Sequence, residues 1–180
     1  LRKTGRDQVA AIITIYGPRL TFMISAGGGV SEFVYLNSKK SFILHDENIK
    51  LAETKKMFAP GNLRACRTEK WYIDLLEYWV KNEYTLRYSG GMVPDVNQIF
   101  KKGGGVFTYP ASKEMPDGKL RLLYECAPVA YLIEKAGGSA SDGRQSILDI
   151  VIDKLDKRTP IFLGSKREVL LATSKSKSPR

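Results

Sequence analysis

The sequence predicts an α/β fold built on a mixed sheet, and three observations carry that expectation. Residues 119–138, KLRLLYECAPVAYLIEKAGG, read as an apolar strand that ends in the carboxylate of Glu125 and turns straight into a capped helix. Short apolar runs at Met57-Phe58 and at residues 106–109 are separated by stretches of helical periodicity. Glycine clusters at Gly90-Gly91, residues 103–105 and Gly137-Gly138 mark the junctions.

Within the first stretch, Leu120, Leu122, Leu123 and Tyr124 are apolar enough for a strand covered on both faces. Pro128 suits a first helical turn, where its missing N–H costs nothing, and Val129, Leu132, Ile133 and Ala136 follow at helical spacing. Gly137-Gly138 supplies the C-cap. This places Glu125 at the carboxyl end of a central strand beside a helix N-terminus, where open α/β sheets gather ligands. The alternative is that Glu125 only caps its own helix.

The earlier part of the chain reads as strands. Val9, Ala10, Ile12, Ile13 and Tyr16 fit a helix or a strand that Gly17-Pro18 stops. Residues 20–26, 32–36 and 41–45 then form three strand-like runs joined through the glycines 27–29 and Asn37-Ser38, an antiparallel meander. Such a segment exposes an apolar face that needs a partner layer, so residues 1–50 are expected to pack on something else. His45 stands alone, with no second histidine or cysteine beside it. After a polar link, Met57-Phe58 leads into the turn Ala59-Pro60-Gly61-Asn62, and Thr68 is placed to cap a helix carrying Trp71, Leu75, Tyr78 and Trp79. YTLRYSGGMVPDVNQIF is a strand that breaks at Ser89-Gly90-Gly91 and restarts as a helix. Two glycines there let backbone N–H groups approach a bound oxygen, and Arg87 and Tyr88 immediately upstream offer a planar fork and a hydroxyl suited to phosphate.

Composition narrows the partners. The 180 residues carry a net charge of +10, which calls for anions. The cations occur singly or in pairs, without an aromatic RNA-binding signature or a basic helix, which argues against nucleic acid and leaves phosphorylated small molecules. Residues 166–180 read as a basic, frayed terminus. No apolar run suits a membrane span, and Cys66 and Cys126 read as isolated buried thiols of a reducing compartment, a disulfide between them being the minor alternative.

Taken together, GRDQVAA, IYGPR, FAPGNLRA, YTLRYSGGMVPDVNQI, KLRLLYECAP and EKAGGSASDG resemble the C-terminal half of the class I sugar bisphosphatases, which include fructose-1,6-bisphosphatase and sedoheptulose-1,7-bisphosphatase. KLRLLYE and EKAGG look common to both branches, and DQVAA, GPR, PGNLRA and GGMVPDVNQI look like the sedoheptulose branch. The resemblance implies an αβαβα layered sandwich, with residues 51–180 as the substrate-binding α/β domain and residues 1–50 as terminal helix or strands of an N-terminal domain. It implies magnesium-dependent hydrolysis of the 1-phosphate of sedoheptulose-1,7-bisphosphate; fructose-1,6-bisphosphate hydrolysis and a non-catalytic phosphosugar-binding or regulatory module are the alternatives.

The same resemblance assigns residues. Glu125 would be the catalytic and metal-ligating carboxylate at the 1-phosphate. Lys119 would hold the sugar and its phosphate, with Arg121 also a substrate contact. Tyr88 and Tyr109 would touch the distal phosphate, and Gly90, Gly91 and Met92 would line the sugar. Asn62 stands where the fructose branch reads Asn-Glu-Gly and is the one amide side chain there. Arg87 matches the arginine that crosses a subunit interface to the neighbour's distal phosphate, which implies a homo-oligomer. The family's acidic D-P-x-D-G-S-type metal loop is missing from the sequence, so the chain reads as a fragment, inactive alone, of a cytoplasmic or, alternatively, plastid enzyme.

Overall fold

The computed structural model describes residues 2–176. After the short strand β1 (Lys3–Thr4), the chain forms a four-stranded antiparallel meander of β2 (Ala11–Ile15), β3 (Thr21–Ser25), β4 (Val30–Leu36) and β5 (Ser41–Ile49), in sequence order. The apolar stretch 9–16 thus resolves as a strand over residues 11–15, because Ile12 and Thr14 pair with Ile24 and Phe22 across the first hairpin. Alternation sorts the side chains. Ala11, Ile13, Met23, Val30 and Ile49 face inward. Phe22 stacks on Phe33 at 5.0 Å and meets Phe42 edge-on at 4.8 Å, while Ile12, Phe42 and Leu44 lie 40–51% exposed.

The second sheet joins β6 (Met57–Pro60), β7 (Thr85–Leu86), β8 (Val106–Tyr109), β10 (Ser139–Ser141) and β13 (Ile161–Gly164), in the spatial order β10-β13-β8-β6-β7. Its β6–β7 and β6–β8 pairs are parallel, and its β8–β13 and β10–β13 pairs antiparallel, so the sheet is mixed. Short strands β9 (Leu120–Arg121) with β12 (Arg158–Thr159), and β11 (Val151–Ile152) with β1, form two ribbons beside it.

Period-two alternation along the mixed sheet decides which helix covers which face. Phe58, Val106 and Phe162 point to α1 (Lys70–Lys81) and α4 (Lys166–Ser176), where Tyr72, Leu75, Trp79, Val169 and Ala172 complete one core. Met57, Ala59, Phe107, Ile161 and Leu163 point the other way, to α2 (Met92–Lys102) and α3 (Ala127–Lys135). Each fully buried aromatic or aliphatic side chain here contributes about 1.5–3 kcal/mol. The inward face of the meander joins this second core, packing on the far side of α2 and α3. Buried Glu32 of β4 fastens the layers, its Oε2 2.6 Å from Lys101 Nζ on α2 and 3.8 Å from His45 Nε2. The order is therefore helices, mixed sheet, helices, meander. The mixed α/β fold is as expected; among the described residues the fifth, helical layer over the meander's outer face is absent.

Three local expectations are corrected. Residues 119–125 are not a central strand: the two-residue β9 pairs only with β12, after which residues 122–126 wind into a π-helical turn that runs on into α3. LRLLYECA has no β-branched residue, so nothing local resists helix once the Leu122 N–H has been taken by the Lys157 carbonyl at 2.7 Å. Thr68 does not cap α1; it closes a 3₁₀ turn over residues 63–67, and Glu69 occupies the N-cap. The basic C-terminus is helical through Ser176, since Val169 and Ala172 are buried on the sheet; residues 177–180 of the expected frayed tail lie outside the described residues.

Candidate functional site

Where the ends of β6 and β8 meet the N-terminus of α2 and the π-helical turn, the surface opens into a cavity of about 680 Å³. Its wall brings together Asn62, Tyr88, Gly90, Met92, Tyr109, Lys119 and Glu125, drawn from stretches up to 63 residues apart, and adds Arg64, Arg67, Phe107, Ser112, Glu114 and Leu120.

One wall depends on a close backbone approach. Gly61 donates its N–H to the Thr108 carbonyl at 2.8 Å, and a Cβ at Gly61 would fall 2.6 Å from the Tyr109 ring. The buried Tyr72 hydroxyl donates to the Gly61 carbonyl at 2.7 Å and accepts from the Thr108 hydroxyl at 2.9 Å. Burial raises the Tyr72 phenol far above its ordinary range, so this clamp stays protonated. Asn62 then takes the left-handed conformation, φ 50°, that asparagine tolerates, and its amide donates to the Pro110 carbonyl at 2.9 Å. The expected substrate amide therefore also ties the 110s loop to the cavity wall.

The Gly-Gly turn is held from below. Asp95, in the first turn of α2 and 1% exposed, accepts the Ser89 N–H at 2.7 Å and donates its own N–H to the Gly91 carbonyl at 3.1 Å. Gly90, at φ +90°, supplies the conformation that turns the chain into the helix. Tyr88 and Tyr109 are both raised, chiefly by burial; the Asp95 charge adds to the first, while Arg64 offsets part of the second. Both stay hydrogen-bond donors at neutral pH.

At the other end, Glu125 Oε2 accepts the Arg121 N–H at 2.7 Å and the Arg121 Nε–H at 3.2 Å. The carboxylate both closes its own helical turn and lines the cavity. π-Turns of this kind recur at functional sites because they spread side chains that an α-helix would stack.

Arg121, Arg87 and Gly91 are not brought into the cavity of this chain. Arg121 is engaged with Glu125 and lies over the Tyr124 ring at 5.7 Å. Arg87 donates its N–H to the Phe58 carbonyl at 2.9 Å and leaves its side chain exposed. Arg64 and Arg67 were missed in the sequence because each is a single cation between the turn at Gly61-Asn62 and α1; their spacing of three, on what proves to be a 3₁₀ turn, was the available signal.

A magnesium ion prefers near-octahedral oxygen donors and is held poorly by one carboxylate. Among the described residues no three acidic, histidine or cysteine side chains gather into a metal-binding group. This chain's residues therefore do not fit a magnesium site by themselves. Among the described residues no helix is long and apolar enough to cross a membrane.

Comparison with known proteins identifies the family. Residues 51–177 match the family described as the C-terminal domain of fructose-1,6-bisphosphatase. The chain is 45% identical over 172 residues to a class 1 fructose-1,6-bisphosphatase of Geobacter metallireducens, covering 96% of this chain and 54% of that one. It is 51% identical over 169 residues to a chloroplastic sedoheptulose-1,7-bisphosphatase of Triticum aestivum, covering 93% and 42%. A crystal structure from Toxoplasma gondii, provisionally assigned as a sedoheptulose-1,7-bisphosphatase, superposes with a TM-score of 0.91 at 37% identity, over 98% of this chain and 56% of that one. The chain thus spans about half the length of the curated relatives it matches. It belongs to the fructose-1,6-bisphosphatase family.

Proposed function

We propose that this chain is the substrate-binding half of a magnesium-dependent sugar bisphosphatase that removes the 1-phosphate of sedoheptulose-1,7-bisphosphate. The observation that carries the proposal is one cavity lined by two carboxylates, Glu114 and Glu125, two neutral phenols and three cations, with Gly90 in its wall. Cations and hydroxyl donors suit phosphate dianions, and Lys119 and Glu125, which line the same cavity, are proposed to face the phosphate to be cleaved. Magnesium supplies charge on the phosphoryl oxygens and an activated water. Glu125 is proposed as one of its ligands, with the remaining carboxylates coming from residues other than these 180. Residues 1–50 are proposed as strands of the domain that carries them, and the apolar outer face of the meander as the surface it covers. A homo-oligomer, with Arg87 reaching a neighbouring subunit, and a cytoplasmic location complete the proposal.

Fructose-1,6-bisphosphate is the second reading, since class 1 fructose-1,6-bisphosphatases match the chain about as well. The test is phosphate release by the intact protein from each bisphosphate with magnesium, with and without a chelator. Chelator-sensitive turnover with a higher kcat/KM for the seven-carbon substrate is expected. Equal or better turnover of the six-carbon substrate moves the protein to the second reading. No turnover of either leaves a phosphosugar-binding module.

A further inference from the structure

Arg64 and Arg67 sit three residues apart in the turn over residues 63–67, and in a 3₁₀ turn residues at that spacing eclipse each other. Both line the cavity, and among the described residues neither forms an ion pair. They lie on the same wall as Asn62, which follows the β6 end clamped to β8, so the turn rests on rigid sheet. Arg87, by contrast, is exposed and does not line this cavity, although Tyr88, its neighbour in sequence, does.

We infer that Arg64, supported by Arg67, is a cation that the same subunit supplies to the phosphate remote from the cleaved one, acting together with Arg87 of a neighbouring subunit in the selection of bisphosphates. The inference rests on the function proposed above and names a specificity-determining residue for it. Tyr109 and Tyr88 donate hydroxyls to the same anion, and the planar guanidinium adds two parallel N–H donors that a phosphate accepts side by side. Arg64 is the principal member of the pair: it lies two residues from Asn62, whose amide is fixed to the Pro110 carbonyl, and Arg67 lies a turn further on. The charge of Arg64 acts on the Tyr109 phenol, whereas that of Arg67 falls on the Glu114 carboxyl, which its own backbone N–H and the Ser112 hydroxyl already hold low.

The test uses the intact protein and two substrates, the ketose bisphosphate and the matching ketose 1-phosphate, which lacks the remote group. For Arg64→Ala the preference for bisphosphate over monophosphate, as a ratio of kcat/KM, should fall about tenfold to a hundredfold, mostly through KM. Arg64→Lys should recover part of it, and Arg167→Ala, a charge removed outside the cavity, should leave the ratio alone. An unchanged ratio, or an equal loss on both substrates, overturns the inference. Orthophosphate titrated calorimetrically in chelator keeps the question separate from turnover. If the wild type cleaves neither substrate, the proposed function fails, yet orthophosphate affinity that drops at least tenfold in the Arg64→Ala/Arg67→Ala double variant still supports the anion site. Affinity unchanged in that variant refutes it.

Discussion

Glu125 grips Arg121 twice through one oxygen, accepting both the backbone N–H at 2.7 Å and the Nε–H at 3.2 Å. The carboxylate thus has a structural task at the start of the π-helical turn and a place in the cavity wall at once. Substitutions can separate the two. In the intact protein, Glu125→Gln keeps an acceptor for the Arg121 N–H but removes the charge, so phosphate release should fall by more than a hundredfold with little change in Tm. Glu125→Ala should also lose the cap, worth about 1 kcal/mol, or about 2–4 °C in a chain of this size. Full activity in the glutamine variant, measured by phosphate release beside a melting curve, would leave Glu125 a cap and nothing more.

Arg87 holds its backbone on β6 and its side chain in solvent. If it serves a neighbouring subunit, Arg87→Ala should weaken bisphosphate binding about tenfold to a hundredfold without lowering Tm. Mixing Arg87→Ala subunits with subunits disabled at Glu125 should then restore activity to part of the mixed oligomers. A lowered Tm with unchanged affinity would make the residue structural.

A second buried carboxylate ties the far side of the sheet. Glu168 of α4, 2% exposed, accepts from the Thr54 hydroxyl, from the Lys55 N–H at 3.1 Å and from the Tyr84 hydroxyl at 2.7 Å. Removing it strands these donors, so Glu168→Ala should cost about 3 kcal/mol in urea unfolding. The ratio of activities on the two bisphosphates should not move, since Glu168 lies on the α1/α4 side of the sheet, away from the cavity.

Alkaline stability follows from the buried phenols. Burial raises Tyr72 from its ordinary 10.0; burial and then Glu168 raise Tyr84 from the same value. Above pH 10 the unfolded chain loses protons that the folded chain keeps, so this stabilisation is complete below pH 10 and is lost as the pH rises further. Cys126, raised by burial from 9.0, starts the decline slightly earlier. Unfolding free energies measured between pH 8 and pH 11 should fall from about pH 9, more gently in Tyr72→Phe than in the wild type. An identical slope in both would remove Tyr72 from the account.

The amino-acid sequence by itself determined what is local in this protein. The meander is written in alternation with turn residues, α2 in the Gly-Gly start and the helical spacing of Val96, Ile99 and Phe100, and the end of α3 in Gly137-Gly138. The motifs spanning Asn62, Tyr88, Gly90, Met92, Tyr109, Lys119 and Glu125 also marked the cavity wall, because each motif combines a polar group with the turn that presents it. Only the tertiary structure decided the rest. Whether residues 119–126 are strand or helix depends on a partner more than thirty residues away, β12 with Lys157, which pairs with two residues and then releases the chain to wind. Arg64 and Arg67 are isolated surface charges until a 3₁₀ turn aligns them and the β6–β8 clamp sets that turn against Tyr109. The basic terminus becomes α4 because the sheet offers Phe162 and α1 offers Tyr72, Leu75 and Trp79 as a surface on which to bury Val169 and Ala172. In each case the deciding contact joins segments far apart in sequence, and periodicity along the chain carries no record of it.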